Sequence, residues 1–492
     1  MKAIFYLQAF ESQGVQTLIS VLKEAGHSCK VLFNPSLHNY FHFKLNFMKS
    51  MNDKIIDKQI NELIKYNPDI LCFSFITAQF YDTVEVFKKI KSTKLKDKIF
   101  IAGGIHASAR PLEILDMGFD YVCVGDGEIA LLKLVSKLQE GKMDIKINGI
   151  WYKRGNKIIK NGVGKKVLNV DDLPIPDTEE LRKHGILTRD SYNYMTSRGC
   201  FYQCKYCFNS FYNKLYNYKN IVRKKSPEKV IDDLKRYAKS HKNVVFLDDI
   251  LLFDKEWDKK FFKLYNKEIR KPFICSARIE SIDEESCELI KPYCRFVHLG
   301  IESGSKNIRE KIMGRNYDNA FIMKKIDLLK RHGIKIKTSF MFGMPGETKD
   351  DMLKSIALAK EITPCILSTY IFTPLPGSLL FKYLEKKNLL TKDSFRCSLH
   401  EYGKRFQGQM IDVSFVIANV APLIVKIRQI EPFCNYLIDT ADKKSSQKIS
   451  NLLYKLYSIF FQKILAQTRS RIFMKQVLKG VKYLFTNEKR FL

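Results

Sequence analysis

MTSRGCFYQCKYCFNS, residues 195–210, groups three cysteines, Cys200, Cys204 and Cys207, in a loop rich in glycine and aromatic residues. A structural zinc site takes four ligands, usually as two separated pairs, and no fourth Cys or His follows closely. Iron–sulfur clusters are also held by cysteine thiolates, normally one per iron. Three thiolates on a four-iron cube leave one iron open to a substrate or cofactor. The loop closes an apolar run, YNYMTSRG (192–199), so the thiols are expected at the C-terminal end of a strand. That is where (β/α) barrels build their sites.

Outward from the loop, apolar runs recur with amphipathic stretches between them. Downstream they are NVVFLDDI (243–250), FICSARIE (273–280), RFVHLGIESG (295–304), IKTSFMFGMPGE (336–347) and CILSTYIFTPLPGS (365–378). With the first run this count predicts a full or partial (β/α) barrel over 191–390. Upstream, KAIFYLQ (2–8), CKVLF (29–33), DILCFSFI (69–76), KIFIAGG (98–104) and YVCVGDGE (121–128) alternate with helical patterns such as GVQTLISVLKEAG (14–26). Strands separated by helices of this length predict a doubly wound, Rossmann-like parallel domain over 1–140. Residues 141–190, with DDLPIPDTEEL (171–181), read as a linker, and 391–492 as a helical C-terminal region.

The chain has 492 residues, 45% hydrophobic and 28% charged, enough apolar material for more than one core. MKAIFYLQAF reads as a first strand and not as a signal peptide. VSFVIANVAPLIV (413–425) is too short to span a bilayer and contains Asn419 and Pro422. The expected address is the cytoplasm, where twelve cysteines stay reduced and clustered thiols point to metal or redox chemistry. The formal charge of +32 comes with an excess of lysine over arginine, the bias of a low-GC genome. No like-charge block has the length of a nucleic-acid tail, so nucleic acid is not an expected partner.

The CxxxCxxC run at the end of a first barrel strand, with FLDDI, SARIE, GIESGS, FGMPGET and TPLPGS at later strand ends, resembles the radical SAM superfamily. The resemblance implies that Cys200, Cys204 and Cys207 hold a 4Fe-4S cluster whose open iron is chelated by S-adenosylmethionine (SAM). Reductive cleavage of SAM then gives a 5′-deoxyadenosyl radical that takes hydrogen from substrate. It further implies that Tyr206 lines the adenine pocket. Asp249 and Glu302 hold the ammonium or ribose hydroxyls, and Arg278 or Arg315 meets the carboxylate. Gly343 and Gly346 let the backbone approach the adenine. On the residues alone, Asp248 or Asp249 is equally a helix cap, and Arg278 a partner of Glu280.

The first domain resembles the cobalamin-binding domain that precedes the barrel in one large radical SAM class. Ser74 to Thr77, Gly103 and Gly104 with His106, and Gly125 to Glu128 fall at strand ends, where doubly wound sheets bind ligands. By resemblance Ser74, Thr77, Gly103, Gly104, His106, Gly125 and Glu128 face cobalamin. One departure matters. Domains that ligate cobalt carry Asp-x-His-x-x-Gly after the first strand, whereas AFESQG (9–14) puts Glu11 at the histidine's place. Cobalamin without a protein histidine on cobalt is therefore expected, and a domain that binds none is the alternative.

The activity implied is methyl transfer to an unactivated carbon or phosphorus, with a radical cyclase or rearrangement enzyme as the alternative. A tRNA methylthiotransferase needs a second cysteine triad in its first domain and a small C-terminal β-barrel; here Cys29, Cys72 and Cys123 lie in apolar strand patterns and the C-terminus reads as helical. A non-catalytic iron–sulfur or zinc protein is the remaining class. The expected partners are a small-molecule or lipid-like substrate and a reductant such as flavodoxin or ferredoxin. ISNLLYKLYSIFFQKIL (449–465) places Leu452, Leu453, Leu456, Phe460 and Ile464 on one helical face, and KQVLKGVKYLF follows. That face packs on the barrel or makes a peripheral membrane contact.

Overall fold

KAIFYLQ is buried at every position after Lys2, the signature of a strand covered on both faces in a parallel sheet. In the computed structural model, which describes residues 1–8, 11–36, 46–142, 145–184, 190–219, 221–391, 394–395 and 405–465, it is strand β1 (Lys2–Gln8). The chain divides into two compact units. One contains Met1–Thr188 and Phe211–Asn220; the other contains Arg189–Ser210 and Ile221–Gln467.

In the first unit β1 pairs in parallel with β2 (Ser28–Asn34) on one side and β3 (Ile70–Ser74) on the other. β4 (Ile99–Gly103) and β5 (Tyr121–Cys123) follow, giving the order β2-β1-β3-β4-β5. Strand order reverses between β1 and β3, the place where doubly wound sheets open a ligand crevice at their C-terminal ends. One face packs Ala3, Phe5 and Leu7 against Val15, Ile19 and Leu22 of the helix Gln13–Glu24, and against Leu131, Leu134 and Val135 of the helix Glu128–Gln139. The other carries stacked phenylalanines, with Phe87 and Phe119 ring centroids 4.0 Å apart.

The stretch 141–190, expected as a bare linker, extends this sheet. β6 (Ile150–Arg154) pairs antiparallel with β5, and β7 (Lys157–Lys160) pairs with β6 around a two-residue turn. Its charged, half-exposed residues mask the alternation that marks a strand; they are what an edge strand needs to resist further pairing.

The second unit is a partial barrel of six parallel strands in chain order. β8 (Ser191–Tyr194), β11 (Asn243–Phe246), β12 (Phe273–Ala277), β13 (Cys294–Glu302), β14 (Ile336–Phe342) and β15 (Ile366–Ile371) lie side by side. A two-residue ladder, β9 (Ser197–Arg198) with β10 (Arg223–Lys224), closes off the cysteine loop. Outward residues such as Phe246, Val297, Leu299 and Ile301 meet Leu234, Phe261, Phe262, Ile326 and Ile356 of the flanking helices in one core.

The C-terminal region is helical. The helix Ile411–Lys426 is buried along most of its length and packs on β14 and β15. Pro422 cannot donate to the carbonyl four residues back. That oxygen, on Ala418, accepts from Thr369 Oγ1 of β15 at 2.7 Å. Leu452 is exposed and Leu453 half-buried; the side chains of Leu456, Phe460 and Ile464, and the segment KQVLKGVKYLF, lie outside the described residues. Among the described residues no helix is long and apolar enough to cross a membrane.

Candidate active site

The cysteine loop is held at its root by Asp248, at the end of β11. Oδ1 accepts from Thr196 Oγ1 at 2.8 Å and from Ser197 N and Oγ at 2.6 Å each, and Oδ2 from Thr196 N at 3.2 Å. Burial pushes this carboxyl's pKa up and those bonds pull it back, leaving it raised. Asp248 thus clamps two strand ends instead of capping a helix. The chain then crosses itself at Gly199: φ is +95°, and a Cβ would run into Ile221 O. Only glycine fits. The middle of the loop is pinned from both sides, Lys205 N donating to Met313 O at 3.0 Å and Leu380 N to Lys205 O at 2.9 Å.

Cys200 and Cys204 are buried and Cys207 is half-buried. Burial, with smaller contributions from neighbouring sulfurs and Asp249, pushes the Cys200 thiol up to about 11 and Cys207 to about 12. Metal binding removes such protons and offsets the burial cost. A single tetrahedral ion with metal–sulfur bonds of about 2.3 Å needs sulfurs roughly 3.8 Å apart. These three are not all within 4.8 Å of one another, which suits ligands on separate metal atoms. The donor set fits a site-open cluster.

Around the thiols lies a buried polar cage. Arg315 Nη2 donates to Tyr206 OH at 2.7 Å, and Nη1 donates to Tyr317 OH at 3.0 Å and to Gly300 O. Glu302 Oε1 lies 3.6 Å from Arg315. Burial raises the Glu302 pKa against the pull of Arg315 and Arg278. Glu302 has φ +71°, left-handed for a residue with a side chain, at a register shift ending β13. Such strain concentrates at functional sites. Arg278 Nη1 donates to Cys204 Sγ at 2.9 Å and its other nitrogens bind Glu280, so the structure bears out the Glu280 partnership and adds a sulfur contact. Asp249, exposed at the end of β11, hydrogen-bonds Asn209 and stands near Cys200 and Cys207.

At the end of β14 the two glycines differ. A Cβ on Gly346 would meet nothing within 4 Å, leaving room for a ligand. On Gly343 it would come within 2.8 Å of Ser414 Oγ and 3.1 Å of Gln409 Nε2. Gln409 donates to Gly343 O at 3.2 Å and to Phe372 O at 3.1 Å, tying two strand-end loops together. Glu347 Oε2 accepts from Gly343 N at 2.6 Å and Met344 N at 3.0 Å, and burial raises its pKa to about 8. Arg309, fully buried, donates to Ser303 O and Tyr317 O. Sequence reading passed over Asp248's clamp, Arg309, Glu347 and Gln409. The Thr196–Ser197 pair before the glycine and the first carboxylate of LDDI were the available signals for the first; the others have none.

In the first unit the strand ends are more committed. His106 is fully buried, stacked on Phe80 at 4.3 Å, with Nδ1 3.2 Å from Thr77 Oγ1. Burial lowers its pKa to about 3. The histidine is therefore neutral and turned inward, holding Thr77 with it. A Cβ on Gly104 would lie 2.6 Å from Phe75 O, so this glycine serves a backbone crossing. On Gly103 it would make only an ordinary 3.7 Å contact with Cys123. Gly125 is covered by Tyr216, whose OH accepts from Asp126 N at 2.7 Å and donates to Gly164 O at 2.8 Å; Glu128 is buried. Ser74, half-buried at the end of β3, and Glu11, after β1, stand at the switch point. The β1 and β3 ends are thus the place where a doubly wound sheet of this order takes a ligand.

Residues 194–359 match the Radical SAM superfamily model and residues 7–135 the B12 binding domain model. An uncharacterized methyltransferase of Pyrococcus horikoshii is 28% identical over 347 residues, 68% of this chain and 72% of that protein. The anaerobic magnesium-protoporphyrin IX monomethyl ester cyclase of Rubrivivax gelatinosus is 25% identical over 371 residues, 69% of this chain and 63% of its own. In fold, the chain is similar to the cobalamin-dependent SAM radical enzyme OxsB, solved with aqua-cobalamin and SAM bound. The TM-score is 0.65 at 15% identity, covering 100% of this chain and 82% of that one.

Proposed function

The chain belongs to the radical SAM enzymes that carry a B12 binding domain ahead of the barrel, and on that premise we propose that it is a methyltransferase acting on an unactivated carbon or phosphorus centre. The observation that carries the reading is the three-thiol loop at the end of the first of six parallel strands, preceded in the same chain by a doubly wound B12-type unit. When bound, the cluster and SAM supply one-electron chemistry that takes hydrogen from an inert position, and cobalamin supplies a transferable methyl group.

This chain's residues do the holding. Cys200, Cys204 and Cys207 bind iron. Tyr206, Arg315 and Glu302 form the hydrogen-bonded wall beside them, and Asp249 stands near Cys200 and Cys207. Gly346 leaves space for the adenine. In the first unit Ser74 and the backbone after β1 and β3 would meet cobalamin. His106 is sequestered and Glu11 stands at the ligand histidine's place, so neither position supplies an imidazole to cobalt; oxygen donors suit harder ions. Electron paramagnetic resonance of the cobalt(II) form should therefore lack hyperfine splitting from a protein nitrogen, and such splitting would contradict the assignment.

The reducing partner is of the flavodoxin or ferredoxin kind, and the site of action the cytoplasm. Exposed Phe433 and Tyr436 on the helix Glu431–Asp439, with Ile449 and Leu452 on Lys444–Leu465, support a lipid-like substrate met at a membrane surface. A cyclase or rearrangement reaction is the second reading, favoured by the likeness to the magnesium-protoporphyrin cyclase. The deciding experiment compares extracts of a deletion strain with wild type by mass spectrometry, then feeds the accumulated precursor to reduced enzyme with methyl-labelled SAM. Label in the product supports methyl transfer. 5′-Deoxyadenosine with unlabelled product moves the assignment to the cyclase reading.

A further inference from the structure

Two guanidinium groups stand near the thiols of the second unit, and they are placed differently. Arg315 is surrounded by oxygen: Tyr206, Tyr317, Gly300 and Glu302. Arg278 is turned to sulfur. Its Nη1 lies 2.9 Å from Cys204 Sγ, its Nε and Nη2 bind Glu280, and its plane lies over the Tyr202 ring with 4.1 Å to the centroid. Only 8% of Arg278 is exposed. Three independent contacts therefore fix one orientation, in which the cation is aimed at a cluster ligand.

Electrostatics gives this placement a consequence. The potential of a thiolate-held cluster depends on net charge, hydrogen bonds to its sulfurs and solvent exposure. One-electron reduction by an external low-potential donor adds one negative charge to the cluster and its ligands. A cation bonded to one of those sulfurs stabilises the more negative state more, and burial keeps water from screening it. Glu280, which shares the same guanidinium, works in the opposite sense.

We infer that Arg278 sets the reduction potential of the iron–sulfur cluster through the Cys204 sulfur, holding it above the value that the three thiolates alone would give, and that Glu280 moderates this effect. The inference rests on the cluster reading above. It also gives Arg278 a role other than meeting the SAM carboxylate.

The test uses full-length protein reconstituted anaerobically as wild type, Arg278→Gln, Arg278→Lys and Glu280→Gln. Each is titrated with dithionite in the absence of SAM and followed by electron paramagnetic resonance, with iron, sulfide and SAM affinity measured alongside. Arg278→Gln should lower the midpoint by at least 59 mV, a tenfold less favourable one-electron reduction. Arg278→Lys, which keeps charge but not the fork, should shift it less, and Glu280→Gln should raise it. An unchanged midpoint in Arg278→Gln with its cluster intact overturns the inference. So does weakened SAM binding at an unchanged midpoint, which returns Arg278 to SAM. If Arg278→Gln fails to hold iron, Glu280→Gln decides: no upward shift overturns the proposal. Wild-type protein that takes up no cluster fails the underlying reading, and this inference with it.

Discussion

Cys29, Cys72 and Cys123 of the first unit and Cys200, Cys204 and Cys207 of the second differ in their surroundings more than in their thiols. Burial pushes Cys29 and Cys123 up to about 12 and Cys72 further, much as it does Cys200 and Cys207. The first set sits inside strands, packed with Phe5, Val31 and Ile101 in an apolar core. The second sits in a loop with a cation on one sulfur, a carboxylate near two of them and a tyrosine–arginine–glutamate wall. Thiol acidity does not separate a metal site from a core. What separates them is whether the backbone presents the sulfurs together and whether charge is arranged to receive what they bind.

The largest effect that tests this contrast is all-or-none. Alanine at Cys200, Cys204 and Cys207 should abolish iron and sulfide uptake, while alanine at Cys29, Cys72 and Cys123 should leave both unchanged. The second triple variant should lose only packing stability, roughly 0.5–3 kcal/mol per site. Iron retained by the first variant, or lost by the second, would break the comparison.

Next come two glycines. Gly199→Ala forces a side chain onto Ile221 O at a left-handed position and should cut iron uptake several-fold. Gly103→Ala makes an ordinary contact and should stay within about 0.5 kcal/mol of wild type in stability. Weakened cobalamin binding in that folded variant would mark Gly103 as a ligand contact.

A third, smaller effect separates the units by pH. Glu347 has a folded pKa of about 8 against an ordinary 4.5. The folded state binds the extra proton, so the stability it supports is complete below about pH 4.5 and declines until the pH passes about 8. His106 is the reverse: its folded pKa of about 3 against 6.5 gives stability that is present above 6.5 and lost as pH falls toward 3. The steepest slope for each is about 1.4 kcal/mol per pH unit. Protection of the FGMPGE amides, hydrogen exchange corrected for the intrinsic rate at each pH, should fall from pH 6 to 8.5, and that of the GGIHAS amides from pH 6.5 to 4.5. Glu347→Gln should flatten the first trend alone. Away from both sites, Thr369→Val leaves Ala418 O without this donor and should cost about 1–3 kcal/mol in thermal or urea unfolding.

What was legible in the chain was whatever is written locally. Both series of parallel strands stand out as apolar runs ended by glycine, proline or acid. The CxxxCxxC loop carries its own spacing. The hairpin at 150–160 was hidden by the charges of its edge strand. Tertiary partners were hidden by distance along the chain: Gln409 reaches Gly343 across 66 positions, and Tyr216 reaches Asp126 across 90. No local pattern announces such pairs. Glu347 looked like an ordinary residue before a helix because its burial is decided by segments far from it.

Thr369 and Pro422 also bear on how this protein is made. The repeating pattern of strand then helix provides no cover of its own for β15; the helix Ile411–Lys426 covers it, and that helix needs a strand hydroxyl to complete its bonding. A ribosome adding about 5–20 residues per second takes several seconds to pass from Ile371 to Lys426. Through that interval the nascent chain has a finished sixth strand with a bare apolar face. Shortened versions ending near residue 390 would keep that state permanently, and are therefore expected to aggregate however complete their cofactor ligands are.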